Sequence, residues 1–92
     1  MAADLVRQHV VITGRVQGVF FRDSVREQAE AHGVAGWARN RGDGAVETVF
    51  EGSPEDVERL VEFCRTGPPR AEVEDVEVGE EEPEGLSGFS IR

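Results

Sequence analysis

The stretch Gly14-Arg15-Val16-Gln17-Gly18-Val19-Phe20-Phe21-Arg22 decides how this chain folds. Before it stands the apolar run His9-Val10-Val11-Ile12-Thr13, and from Arg22 onward the pattern turns helical. A strand that enters a helix through a short glycine-bearing turn aims successive backbone N–H groups into that turn. The positive end of the helix dipole adds to them. Such a turn suits an anion. Arg22 needs explaining, because a cation in the first helical turn opposes the dipole. With an anion bound, Arg22 becomes a second layer of positive charge around it.

Working outward, residues 6–13 read as a strand with Val10 and Ile12 on one face and His9, Val11 and Thr13 on the other. Both faces are apolar enough for a central position in a sheet. His9 is expected on a sheet face, since nothing near it in sequence would orient it as a base. Residues 21–32 read as a helix whose apolar stripe is Phe21, Val25 and Ala29, with Arg26, Glu27 and Glu30 toward water. Asp23 suits the helix start and Gly33 the stop, while His32 is a helix-end residue rather than a catalytic one. Residues 34–41 give a second strand, Arg41-Gly42-Asp43-Gly44 a reversal, and residues 45–51 a third strand. In that third strand Val46, Thr48 and Phe50 oppose Ala45, Glu47, Val49 and Glu51, so the second and third strands form an antiparallel pair.

Gly52-Ser53-Pro54-Glu55-Asp56 is a helix start, with Ser53 as N-cap, Pro54 at the first helical position and two acids in the first turn. The helix runs to about residue 65 with Val57, Leu60, Val61 and Cys64 inward and Phe63 near that face. Residues 71–79 suggest a fourth strand whose register shifts at Glu74-Asp75, the mark of a bulge. Glu80-Glu81-Glu82-Pro83-Glu84-Gly85 reads as a solvated charged loop, and residues 87–92 as a short last strand with Phe89 and Ile91 inward. The order β-α-β-β-α-β places two helices on one face of an antiparallel sheet. The expected fold is a ferredoxin-like α+β sandwich forming a single domain over residues 1–92.

Composition narrows the function. A chain of 92 residues, 38% hydrophobic and 32% charged, has the make-up of one globular domain. One cysteine, Cys64, permits neither an internal disulfide nor a cysteine metal cluster, and it is expected to pack as a small buried apolar group. No apolar run approaches the roughly 20 residues of a membrane span, and the first residues show no secretory pattern. The expected location is the cytoplasm. Residues 1–46 hold six Arg against five acids and residues 47–92 four Arg against fourteen, so local charges of +1 and −10 make up the −9 of the chain. So acidic a second half argues against nucleic-acid binding. The chain has no Lys, so its anion turn cannot use the lysine of a Walker-type loop.

Gly14 to Arg22, the second motif Gly36-Trp37-Ala38-Arg39-Asn40-Arg41-Gly42-Asp43-Gly44-Ala45-Val46-Glu47, and the closing Gly88-Phe89-Ser90-Ile91 together resemble the acylphosphatase family over nearly the whole chain. The resemblance implies hydrolysis of the carboxyl–phosphate anhydride of acyl phosphates to a carboxylate and inorganic phosphate, with no metal and no organic cofactor. It makes Arg22 the phosphate-binding arginine and Asn40 the residue that holds the attacking water. The backbone amides of Gln17, Gly18, Val19, Phe20 and Phe21 would cradle the phosphoryl oxygens. The expected partner is a small-molecule acyl phosphate, with no nucleic acid and no membrane, and the chain is expected to act as a monomer. A non-enzymatic ferredoxin-like module that keeps an anion pocket for sensing or interaction is the alternative; the presence of both Arg22 and Asn40 favours the enzyme.

Elementary chemistry agrees. The departing carboxylate has a conjugate acid of pKa about 4, so it leaves without a general acid at neutral pH. Phosphoryl transfer mainly needs alignment and charge stabilisation, which amides and a guanidinium supply. Arg pairs two phosphate oxygens at once through its planar fork, and Asn both donates to and accepts from water at fixed geometry.

Overall fold

The computed structural model describes residues 4–92, so residues 1–3 of the N-terminal stretch read above lie outside the described part. Seven elements follow in order: β1 Val6–Arg15, α1 Phe21–Ala31, β2 Ala35–Asn40, β3 Val46–Gly52, α2 Pro54–Thr66, β4 Glu72–Glu81 and β5 Phe89–Ile91. One sheet holds all the strands in the order β4-β1-β3-β2-β5. β3 is antiparallel to both β1 and β2 and lies between them, so β1-α1-β2 is a split β-α-β unit. The ferredoxin-like α+β sandwich is the fold observed.

Two local expectations need correcting. The sheet is antiparallel except at its last strand: β5 runs parallel to β2, with Gly36 facing Phe89 and Ala38 facing Ile91. β4 ends beside the start of β1, where Glu81 faces Arg7. The chain then crosses to the far edge at that same end of the sheet, where β2 also begins, so β5 can only run alongside β2. The second correction concerns Glu80 and Glu81, which are not loop residues. They extend β4 opposite Gln8 and Arg7, and Arg7 Nε donates to Glu81 Oε1 at 2.8 Å. The bulge, by contrast, stands where the acid pattern placed it. Thr13 faces Asp75 and Gly14 faces Val73, so Glu74 is the extra residue.

The helices cover one face of the sheet. Val10, Ile12, Val46 and Phe50 meet Phe21, Val25 and Ala29 of α1 and Val57, Leu60, Val61 and Cys64 of α2, none more than 6% exposed. Burying each large apolar side chain is worth about 1.5–3 kcal/mol, so this layer drives folding. Burial pushes the Cys64 thiol up to about 12, which leaves it inert as a nucleophile. α2 begins as its sequence dictates, with Ser53 Oγ accepting from the Asp56 N–H at 3.3 Å and Pro54 opening the first turn. Phe21 opens α1, and its ring lies 6.5 Å from that of Phe63 on α2. The turn that precedes α1 is thereby fastened to the core.

The opposite face is closed by ionic layers. Arg7 Nη1 donates to Glu51 Oε2 at 2.7 Å, both side chains being almost fully buried. Glu51 also accepts from the backbone N–H groups of Glu84, Gly85 and Leu86 at 2.8, 3.1 and 3.0 Å. Burial pushes the Glu51 carboxyl up, but these amides and the Arg7 guanidinium outweigh it and hold it below the usual carboxylate range. One layer on, Glu47 is 2.5 Å from His9 Nε2 and 2.6 Å from Arg39 Nε. The His9 contact is the largest cause of a lowered Glu47 carboxyl, and Arg39 adds to it against the opposing effect of burial.

Candidate active site

The C-terminal end of β1, residues 16–20 and the start of α1 form one wall of a cleft. Val16 and Val19 are buried and pin the loop to the core, while Gly18 and Phe20 face solvent. The backbone is left-handed at both exposed positions, with φ 76° at Gly18 and φ 63° at Phe20. Turns of this kind bring successive N–H groups to one side, as an anion site requires. α1 starts at Phe21 with no side-chain hydrogen bond at its N-cap, so no side chain competes for the amides of its first turn.

A cavity of about 280 Å³ opens there, lined by Val16, Gly18, Phe20, Phe21, Arg22, Asp23 and Asn40. Arg22 comes from the first turn of α1 and Asn40 from the last position of β2, 18 residues apart in sequence and on one cavity in space. Their meeting follows from topology. The C-terminal ends of the parallel strands β1 and β2 lie on the same side of the sheet, separated only by β3. Arg22 is half-buried. Among the described residues no carboxylate lies within ion-pairing distance of it, its neighbour Asp23 being turned to Arg26 at 3.5 Å. The cationic group in the cleft is therefore available for an anion.

Of the other residues singled out from the sequence, Gly18, Phe20 and Phe21 border the cavity, whereas Gln17 and Val19 do not. Val19 is the buried anchor. Gln17 turns its side chain to the β2–β3 hairpin, where Nε2 donates to the carbonyl oxygens of Arg41 and Ala45 at 2.7 and 2.9 Å. Sequence reading missed this strap, because a Gln in a loop carries no signal of what its amide will meet. The left-handed backbone at Phe20 was equally silent, since glycine or asparagine is the usual marker of that conformation. Both histidines stay out of the cleft: His9 is on the ionic face with Glu47, and His32 follows the end of α1. Among the described residues no three His, Cys, Asp or Glu side chains are grouped to hold a metal ion, and no helix is long and apolar enough to cross a membrane.

Fold and cleft thus define a ferredoxin-like α+β domain with a cleft at a strand–helix junction that brings Arg22 and Asn40 together. The family model described as acylphosphatase matches residues 8–91. The chain is 57% identical to an acylphosphatase of Haloarcula marismortui over 94% of each chain. It is 55% identical to that of Gloeobacter violaceus over 97% of this chain and 96% of the relative. The solved structure of an acylphosphatase from Coxiella burnetii superposes with a TM-score of 0.93 at 40% identity, covering 97% of this chain and 94% of that one. The chain belongs to the acylphosphatase family, hydrolases that act on small acyl phosphates.

Proposed function

We propose that the cleft hydrolyses acyl phosphates without a metal ion, with Arg22 and those amides of the 17–21 loop that border the cavity, at Gly18, Phe20 and Phe21, holding the phosphoryl group and Asn40 holding the nucleophilic water. The observation that carries this assignment is the shared cavity. A guanidinium with no carboxylate partner among the described residues, a helix start with no side-chain cap and a carboxamide from a different strand border one space of about 280 Å³. Arg22 forks onto two phosphoryl oxygens while the amides take the others, neutralising charge where it is spread in the transition state. The Asn40 carboxamide orients water for in-line attack. The water oxygen bonds to phosphorus, the bond from phosphorus to the carboxyl oxygen breaks, and the carboxylate departs with that electron pair. The proton of the water passes to a phosphate oxygen, as no His or Cys borders the cavity to take it. The one lining carboxylate, Asp23, is held toward Arg26. The chain is proposed to do this as a cytoplasmic monomer.

The deciding assay follows the ultraviolet absorbance of benzoyl phosphate with EDTA present. Hydrolysis well above background at micromolar protein is expected, unchanged by the chelator. No turnover would sink the enzymatic reading for this cleft, and a chelator-sensitive rate would overturn its metal independence. A basic-limb pKa near 6–7 in the rate profile, abolished by replacing His9 or His32, would remove the substrate-assisted proton transfer.

A further inference from the structure

Among the described residues Phe20 is the most exposed large apolar side chain, at 69%. It is also the one described non-glycine residue with positive φ, at φ 63° and ψ 28°. A left-handed backbone is strained for a bulky L residue, and a benzyl group in water forgoes the gain of burial. Gly or Asn in this turn would relieve both penalties. Packing gives no compensation: the described ring pairs join Phe21 to Phe63 and Phe50 to Phe89, and Phe20 belongs to neither. What Phe20 does border is the cavity shared by Arg22 and Asn40. Strain and exposure concentrated in one residue at a cleft point to work done on a ligand.

We propose that Phe20 is the acyl-group contact of the site. Its ring would be an apolar wall against which the carbon skeleton of an acyl phosphate lies, giving aromatic and larger apolar acyl groups an advantage over acetyl. The inference rests on the phosphoryl placement proposed above. In-line displacement sets the leaving carboxylate opposite the water, so the carbon chain behind it would project away from Asn40. The inner lining residues Val16 and Phe21 are 1% and 2% exposed and belong to the core, which leaves Phe20 as the apolar surface at the rim. An aromatic acyl group would meet the ring edge-to-face or offset, the arrangements that aromatic pairs favour.

Phe20→Asn and Phe20→Gly both accept a left-handed backbone, so each removes the ring while keeping the turn. The measurement is kcat/KM for benzoyl phosphate and for acetyl phosphate, with inhibition by inorganic phosphate followed alongside. The benzoyl-to-acetyl ratio is expected to fall about tenfold in both variants, and by less in Phe20→Leu, which keeps an apolar group. A ratio within twofold of the parent overturns the proposal. So does an equal loss on both substrates, the signature of a ring that only shapes the loop. If the parent chain hydrolyses neither substrate, the reading of the cleft itself fails and this inference falls with it.

Discussion

Gln17 Nε2 donates to the carbonyl oxygen of Arg41 at 2.7 Å, one residue beyond Asn40. The same amide reaches Ala45 across the hairpin, so the loop of residues 16–20 and the end of β2 are held together. Removing the strap loosens the position of Asn40 relative to phosphate rather than the affinity for phosphate. In Gln17→Leu, kcat is expected to fall about tenfold to a hundredfold, since misplacement of about 1 Å carries a penalty of that order. Inorganic phosphate should inhibit within a few-fold of the parent. A loss of phosphate inhibition as large as the loss in kcat would show that Gln17 serves binding instead.

The two proposed site residues should separate in a double measurement of rate and phosphate inhibition. Asn40→Ala is expected to lose about 10²–10³ in kcat while inhibition by phosphate persists, because only the water loses its holder. Arg22→Gln is expected to lose rate and inhibition together. Unchanged phosphate affinity in Arg22→Gln would remove the role assigned to the guanidinium.

Glu51 is a structural carboxylate remote from the cleft, accepting from Arg7 and from three successive backbone N–H groups. Glu51→Ala leaves those donors and a buried guanidinium without their acceptor. The expected destabilisation is about 3 kcal/mol, the range for breaking a buried ion pair from one side. Arg7 keeps its 2.8 Å bond to Glu81, so the larger values in that range are not reached. Urea unfolding at neutral pH reads the effect, and a change below 1 kcal/mol would count against a structural role.

Acid should destabilise the fold through the same residue. The folded Glu51 and Glu47 carboxyls lie below the ordinary value of 4.5, so folding favours their ionised forms. Their contribution is complete above the unfolded value and is lost as pH falls through the lower folded values. Stability is therefore expected to hold from neutrality to about pH 5 and then drop. In Glu51→Gln that acid limb should be shallower, and a limb of unchanged slope would place its origin elsewhere.

Gly36 and Gly18 make a matched pair of glycine tests. A Cβ on Gly36 would meet the Val49 carbonyl oxygen at 1.8 Å, and its φ is +145°. On Gly18, at φ +76°, a Cβ meets nothing within 4 Å. Gly36→Ala is expected to lose more than about 3 kcal/mol or fail to fold, since the β3 backbone at Val49 must move. Gly18→Ala should lose about 1 kcal/mol, the left-handed penalty alone. Thermal unfolding separates the two.

Local chemistry made much of this fold legible. Ser53-Pro54 fixed the start of α2, Asp43-Gly44 the hairpin, and the slipped alternation at Glu74 the bulge, each through residues adjacent in sequence. The motifs around Arg22 and Asn40 were equally readable. Obscure features all depend on partners far apart in the chain. Glu47 stands 38 residues from His9 and Glu51 is 44 from Arg7, so neither pair shows in any local pattern. The run Glu80-Glu81 looked like a solvated loop because its cation, Arg7, lies on another strand. The direction of β5 follows from the crossing between opposite edges of the sheet after β4, which no pattern in its three residues could show.

The cleft is spread over the ends of β1 and β2 with β3 paired between them. Neither the loop nor the Asn40 position can be brought to the other by local folding; the whole split unit must close first. Long-range antiparallel pairing of this kind is slow, in the range of milliseconds to seconds for small domains. Regained hydrolysis during refolding therefore reports a late event, the docking of three strands, and helix signal recovered earlier would come from chains that are still catalytically silent.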